Sequence, residues 1–260
     1  MKKIKDLSLI KLHAEQIPDI EITWPDRFIK SCITYWFPKL DGLPVPKTYI
    51  IKTGITAEEQ IRYADCDNII EDKIRLLIGD IKNRGFELGY PVFLRTGQTS
   101  AKHDWKDSCF ISSDENIRSH VDTIILFSCL ADMIGLPADI WAVREFLKLD
   151  YTFRAFEDMP IAREFRFFVE NGRIMHEQPY WPPHSIKRPS ANDWEEKLKD
   201  MSILGDDKNK VYELVYEVAD RFKNDIGFSV DVCKTENGDW YITDMAPADN
   251  SFKWSDKEKE

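Results

Sequence analysis

Residues 228–245 read Phe-Ser-Val-Asp-Val-Cys-Lys-Thr-Glu-Asn-Gly-Asp-Trp-Tyr-Ile-Thr-Asp-Met. Asn-Gly between two alternating apolar runs is a strong local signal for a β-hairpin with a two-residue turn. With Asn237 and Gly238 as that turn, counting outward sets Thr235 against Trp240, Cys233 against Ile242 and Asp231 against Asp244. Side chains alternate along a strand, so this register puts all six on one face. Two carboxylates directly opposite each other repel and destabilise a sheet. Three situations relieve the repulsion: one carboxyl is protonated, the pair faces open water, or a cation lies between them. A divalent ion with phosphate oxygens on its far side would serve, and a solvated face is the plain alternative. A single bulge would move the two acids to opposite faces.

The chain has 260 residues, enough for one large α/β domain or two smaller ones sharing a cleft. Its 43% hydrophobic and 12% aromatic content is that of a globular protein. A net charge of -10 disfavours a duplex nucleic-acid binder, which normally carries a basic surface, and leaves small molecules and proteins as partners. The five cysteines, Cys32, Cys66, Cys109, Cys129 and Cys233, are odd in number and form no Cys-x-x-Cys pair. Reduced thiols are therefore expected, not a disulfide framework or a structural zinc site. Lys2, Lys3, Lys5 and Asp6 have no apolar core behind them, so no signal peptide is expected. No run approaches 18 apolar residues, so no membrane span is expected either. Together these features point to the cytoplasm. The dense charge run Lys257-Glu-Lys-Glu260 reads as a frayed end.

Residues 1–88 read as mixed α/β. Prolines in Leu43-Pro-Val-Pro-Lys-Thr-Tyr-Ile-Ile51 fix a turn before a short strand, and a helix from about Glu71 to Arg84 is stopped by Gly85. Tyr90–Arg95 is a compact apolar strand, followed by the small-residue loop Thr96-Gly-Gln-Thr-Ser-Ala-Lys-His-Asp-Trp105. Ile117, Val121, Ile124 and Ile125 repeat at helical spacing within 115–134, and Gly135-Leu-Pro ends that helix. A strand over 139–147 and a hairpin over 162–178 turned by Asn171-Gly172 come next. Val211, Leu214, Val215, Val218, Phe222 and Ile226 then form an amphipathic helix that Gly227 ends. The second half is thus α+β: an antiparallel sheet with helices on one side.

The same counting in the second hairpin sets Arg166 against Glu177, on a face shared by Phe168 and Met175. Alone, that is a cross-strand ion pair worth a fraction of a kcal/mol. A second strand, Phe93-Leu-Arg95, also delivers an arginine, and it runs into a loop where Gly97 lets backbone N–H groups approach an anion. Lys102 would add a point charge there. This is not the P-loop pattern. His103 beside Asp104 suggests a base with its orienting acid, or simply a surface loop. The five histidines show no metal-ligand spacing and no Ser or Cys sits in a nucleophile elbow. The cysteines and tryptophans read as packing or cleft-wall residues.

Taken together, these segments resemble the ATP-grasp superfamily. Leu43–Ile51 is similar to its Pro-x-Pro-x-Thr entry to the second subdomain. Pro91-Val-Phe-Leu-Arg-Thr-Gly97 is similar to the strand and loop that cover the nucleotide phosphates. Val143-Arg-Glu-Phe-Leu147 resembles the segment bordering adenine, and Glu164-Phe-Arg-Phe-Phe-Val-Glu-Asn-Gly-Arg-Ile174 resembles the strand pair whose arginine reaches phosphate. Asp231 with Asp244-Met-Ala-Pro-Ala-Asp-Asn250 resembles the terminal metal-ligand hairpin. The nearest flavour is the divergent branch that holds the eukaryotic assembly factor for translation initiation factor 2, with short bacterial and phage relatives carrying arginine at these positions. Two departures stand out: Arg95 replaces the usual lysine, and Ala246 replaces the usual asparagine, for which Asn250 or Asp249 would substitute.

The resemblance implies an N-terminal α/β portion over 1–88 and an ATP-grasp domain over 89–260. That domain has a small subdomain at about 89–145 and a large one at about 146–260, with ATP in the cleft between them. It implies an ATP-dependent carboxylate–amine or carboxylate–thiol ligase working through an acylphosphate, on small-molecule or protein substrates. Arg95, Lys102 and Arg166 would bind phosphates, with Lys102 and Arg166 stabilising the transferring group. Glu145, Phe146 and Leu147 would border adenine. Asp231, Asp244 and Asn250 would hold Mg²⁺, and Arg163 and His103 would contact the acyl substrate. The alternatives are a nucleotide-bound assembly factor that performs no ligation and an ATP-grasp phosphotransferase.

Overall fold

The computed structural model describes residues 27–64, 70–131 and 135–254. Cys66, the basic N-terminus and the tail at 257–260, all read above from sequence, lie outside the described residues. Two four-stranded antiparallel sheets dominate, so the α+β class holds. The first sheet has the order β1-β4-β2-β3, with β1 at Thr48–Lys52, β2 at Val92–Thr96, β3 at Phe110–Ile111 and β4 at Ile140–Glu145. Its two faces differ because the sequence alternates. Val92, Leu94, Trp141 and Val143 share a core with Ile74, Leu77 and Ile81 of helix α4 (Glu71–Leu88), which follows helix α3 (Ala57–Ala64), and with Val121, Ile124 and Ile125 of helix α5 (Ile117–Leu130). Each such side chain contributes roughly 1.5–3 kcal/mol of burial. Phe93, Arg95 and Arg144 have the opposite parity and line a cavity.

Helix α4 outruns the stop expected at Gly85. That glycine sits inside the helix, where a Cβ would run into the Tyr90 ring, and Gly89 at φ +80° caps the helix instead. Residues 48–52, ahead of the boundary expected near 88, hydrogen-bond to β4 over the full length of β1.

The second sheet has the order β10-β9-β7-β8, with β7 at Glu164–Glu170, β8 at Arg173–Pro179, β9 at Phe228–Lys234 and β10 at Trp240–Pro247. One face, with Phe165, Phe167, Val230, Val232, Trp240 and Ile242, packs on Val211, Val215 and Val218 of helix α7 (Lys208–Arg221). The other face carries Glu164, Arg166, Asp231, Cys233 and Asp244, because Arg166 pairs with Asp231 and Glu164 with Cys233 in the β7–β9 ladder.

The decisive hairpin departs from the two-residue count and then returns to it. Only Gly238 of the Asn-Gly pair is left-handed, at φ +85°, and the Gly238 N–H donates to Thr235 O, so the loop has three residues and Trp240 faces Lys234. Cys233 consequently faces Tyr241, not Ile242, and Trp240 and Ile242 point into the core, not toward the acids. A bulge at Thr243 then restores the original register, and Asp231 does lie opposite Asp244. The second hairpin errs the other way. Asn171 (φ +50°) and Gly172 (φ +73°) form the expected two-residue turn, but a shift between Phe168 and Val169 sets Arg166 opposite Gln178, not Glu177, and leaves Met175 exposed.

Short helices α1 (Arg27–Ser31) and α2 (Ile33–Trp36) tie the sheets together. Ile33, Trp36 and Leu40 enter the second core, while Asp225 beyond α7 accepts hydrogen bonds from Lys30 Nζ (2.6 Å), Lys39 Nζ (2.8 Å) and the Tyr35 hydroxyl. Burial opposes ionisation of Asp225, but these three donors outweigh it and hold the carboxyl well below the usual range. The stability from this depression is present above the ordinary carboxyl pKa and is lost as pH falls toward the depressed one. Asp225→Asn is expected to lower the melting temperature at neutral pH by roughly 5 °C and to leave a smaller difference at pH 3, measured by thermal unfolding at both pH values. A third core, with Phe153, Met159 and Ile161, joins hairpin β5–β6 (Tyr151–Ala155, Met159–Ala162) to Leu198 and Met201 of helix α6 (Trp194–Met201). Among the described residues no helix is long and apolar enough to cross a membrane.

Candidate active site

A cavity of about 330 Å³ lies between the two sheets, within the range of small-ligand sites. The first sheet supplies Phe93, Arg95 and Arg144 to its wall, and the second supplies Glu164, Cys233 and Asp244. Gln98–His103 close one side, and Glu145, Phe146 and Leu147, leaving the end of β4, line another. The Phe146 ring packs against Trp105 (centroids 6.0 Å) and Phe110 (5.1 Å), and Trp105 against Phe93 (6.1 Å), so the Phe146 side is aromatic. Cations and carboxylates gather where the sheets face each other.

Those charges form interlocked pairs. Arg166 grips Asp231 with two bonds, Nε to Oδ1 at 2.7 Å and Nη2 to Oδ2 at 2.8 Å. Arg95 Nη1 donates to Asp244 Oδ1 at 2.7 Å and its Nε to Thr96 O at 3.1 Å. The cations that relieve the Asp231–Asp244 repulsion are therefore arginines. Burial pushes Asp244 up, but Arg95 beside it dominates and keeps the carboxyl below its ordinary value. Lys102 Nζ lies 3.9 Å from the Tyr180 ring centroid and 4.0 Å from Glu164 Oε1. Burial opposes its charge, yet Glu164 and Tyr180 hold the ammonium above its usual range. Burial lifts the Glu164 carboxyl above its ordinary range, against the pull of Lys102. Arg144 donates from Nε to Thr48 Oγ1 (3.1 Å) and from Nη1 to the carbonyl of the bulged Thr243 (2.6 Å).

The family described as ATP-grasp domain, R2K clade family 3, matches residues 85–251, well over half of the 260 residues. The chain belongs to this ATP-grasp family. Two solved structures of Cdc123 from Schizosaccharomyces pombe are similar in fold. One has a TM-score of 0.56 at 16% identity and covers 92% of this chain and 93% of that one. The other, truncated at its C-terminus, has a TM-score of 0.55 at 16% identity, covering 91% and 93%. N5-carboxyaminoimidazole ribonucleotide synthetase from Thermotoga maritima gives 0.45 at 11% identity over 84% of this chain and 42% of that chain. No curated protein matches.

Of the residues singled out in this ATP-grasp sequence, Arg95, Lys102, His103, Glu145, Phe146, Leu147 and Asp244 line the cavity. Arg166 and Asp231 stand beside it, with the Arg166 guanidinium 4.7 Å from the Tyr180 ring centroid. Arg163 is held elsewhere, by Asp150 Oδ2 at 3.1 Å and the Asp200 and Ile203 carbonyls at 2.8 and 2.9 Å. Asn250 is exposed at the end of a 3-10 turn over Ala248–Asn250 and does not line the cavity. Among the described residues no group of three or more His, Cys, Asp or Glu could hold a metal. Asp244, which lines the cavity, is a carboxylate of the kind that binds Mg²⁺ alongside substrate phosphates, whereas both oxygens of Asp231 are engaged by Arg166.

Glu164, Tyr180, Trp181 and Arg144 line the cavity without having been given a role from sequence. Arg144 was legible: Trp141 and Val143 face the core, so the intervening parity faces the cleft. Loop 97–101 is pinned rather than open. Gln98 Nε2 donates to Phe28 O at 2.8 Å, Ser31 Oγ donates to Gln98 Oε1 at 2.6 Å, and Ile33 N–H donates to Gly97 O at 2.9 Å. A Cβ on Gly97 would meet Cys32 Sγ at 2.6 Å and Ile140 Cβ at 3.1 Å. Gly97→Ala is therefore expected to cost about 1–3 kcal/mol in urea unfolding, typical of overpacking.

Proposed function

We propose that this chain binds Mg-ATP in the cavity and acts as an ATP-dependent ligase, joining a carboxylate to an amine or thiol through an acylphosphate. The observation that carries the reading is the convergence of Arg95, Arg144 and Lys102 on one cavity that also presents Asp244 and an aromatic side at Phe146. Arg95 and Lys102 hold phosphate oxygens, and Arg166 adds charge from beside Tyr180. Phe146 and Leu147 border the base, while Glu145 is fixed by the Lys47 N–H, which donates to its Oε1 at 2.8 Å. The proposed lobes are about 89–145 and 146–260, with β1 of the N-terminal portion completing the first lobe's sheet.

A substrate carboxylate oxygen attacks the γ-phosphorus, the bond to the β-phosphate oxygen breaks, and ADP leaves. The amine then attacks the acyl carbon, the C–O bond to phosphate breaks, and phosphate leaves while the nitrogen gives up a proton. Phosphoryl transfer of this kind demands positioning and charge stabilisation and no protein nucleophile. Mg²⁺, when bound, neutralises the β- and γ-phosphates. On binding, Arg95 would exchange Asp244 for phosphate and Asp244 would become free for the metal.

A second reading is an ATP-holding module that binds a protein and ligates nothing. It draws on the likeness to Cdc123, of which 93% is covered. Incubation with ATP, Mg²⁺ and a matrix of acids and amines separates the two. ADP release that requires both co-substrates supports the ligase. Tight ATP retention with no release under any pairing supports the module.

A further inference from the structure

We propose that Arg144 is a second anion-binding guanidinium of the cavity, working with Arg95 to hold one oxyanion of a polyphosphate between them. The two arginines sit diagonally on one face of the first sheet, since Arg95 pairs with Ala142 and Arg144 with Phe93. Diagonal neighbours are within reach of long side chains. Arg144 is only 4% exposed, and its Nη2 is buried without a hydrogen-bond partner. Among the described residues it makes no ion pair with a carboxylate, because the nearby Asp244 is taken by Arg95. Burial, and then the charge of Arg95, depress its pKa to about 9.

A buried guanidinium with a spare donor, beside a second one, destabilises the empty protein. The tie to Thr243 O does not account for it, since that bond uses Nη1 alone. A planar fork with one free prong beside Arg95 suits a phosphate oxygen, which arginine recognises bidentately. The inference rests on the reading of the cavity as an ATP site, so its test is built to let either one fail alone.

Wild type, Arg144→Met and Arg144→Lys would be titrated calorimetrically with inorganic tripolyphosphate, adenosine and ATP, and their melting temperatures measured without ligand. The Met variant is expected to melt at or above wild type, to bind adenosine as wild type does, and to bind tripolyphosphate and ATP at least 10-fold more weakly. The Lys variant, with a point charge and no fork, is expected to fall between the two. If Arg144→Met melts lower and binds tripolyphosphate as wild type does, the residue is a tie between sheets and the inference is overturned. Should the Met variant not fold, unchanged tripolyphosphate affinity in Arg144→Lys overturns it equally. Wild type binding tripolyphosphate but neither adenosine nor ATP, with that binding lost in the variants, upholds the paired arginines and removes the nucleotide reading. Wild type binding none of the three removes both.

Discussion

Asp231→Ala is expected to destabilise the protein by about 3–5 kcal/mol, a large fraction of the stability of an ordinary domain. Asp231 and Arg166 face each other across the β7–β9 ladder, joined by two bonds of 2.7 and 2.8 Å, with side chains only 4% and 15% exposed. Removing the carboxylate leaves a largely buried guanidinium whose other hydrogen-bond acceptor among the described residues, the Phe252 carbonyl, is a marginal 3.5 Å away. The cost is that of a stranded charge, not the net worth of the pair. Arg166→Met in the Asp231→Ala background should therefore recover much of the loss, since an apolar side chain in that place leaves nothing unpaired. Urea unfolding of the four proteins gives the coupling energy directly. A single-mutant loss below about 1 kcal/mol would mean that the pair is loose or solvated.

The second large effect falls on ligand binding. Arg95→Ala is expected to weaken ATP binding by about 100-fold, or roughly 2.7 kcal/mol, since a buried charge-assisted contact to phosphate is lost. Arg95 is 3% exposed and braced by Thr96 O, so its fork is already aimed. Arg95→Lys keeps the charge and loses the plane, and should cost about 10-fold. The alanine variant also frees Asp244. With Arg95 gone, only Arg144 and Lys102 still oppose burial at this carboxyl and its pKa rises, so Mg²⁺-dependent binding should fail at a higher pH than in wild type as the solution is acidified. Titrations at pH 5 and pH 7.5 test both parts, and equal affinities for wild type and Arg95→Ala at pH 7.5 would remove Arg95 from the site.

Much of this arrangement was readable from local chemistry. The strands expected over 90–95 and 139–147 are β2 and β4, and the apolar spacing read over 211–226 located helix α7, which ends earlier, at Arg221. The Asp231–Asp244 pairing emerged from a count that missed two features, a three-residue loop and a bulge at Thr243, whose one-residue effects cancel. No such cancellation protected the other hairpin, where one unsignalled shift moved Arg166 from Glu177 to Gln178. The true partner of Arg166 comes from β9, more than 60 residues away, and counting out from a turn does not reach it. Hairpin β5–β6 went unread because its turn places Phe156 (φ +57°) and Asp158 (φ +69°) in the left-handed region with no glycine between the strands. The strap of helices α1 and α2 was equally silent, since its role lies in contacts with Gln98 and Asp225 far along the chain.

Calorimetric titration with ATP, with and without Mg²⁺, on wild type and on the Asp231→Asn/Asp244→Asn double variant, tests the central claim most directly. The asparagines keep the shape of the acids and one acceptor oxygen each while removing the charge a metal needs. Wild type is expected to bind ATP more tightly with Mg²⁺ than without, and the folded double variant to lose that metal-dependent gain. Absence of nucleotide binding by wild type under both conditions would contradict the account.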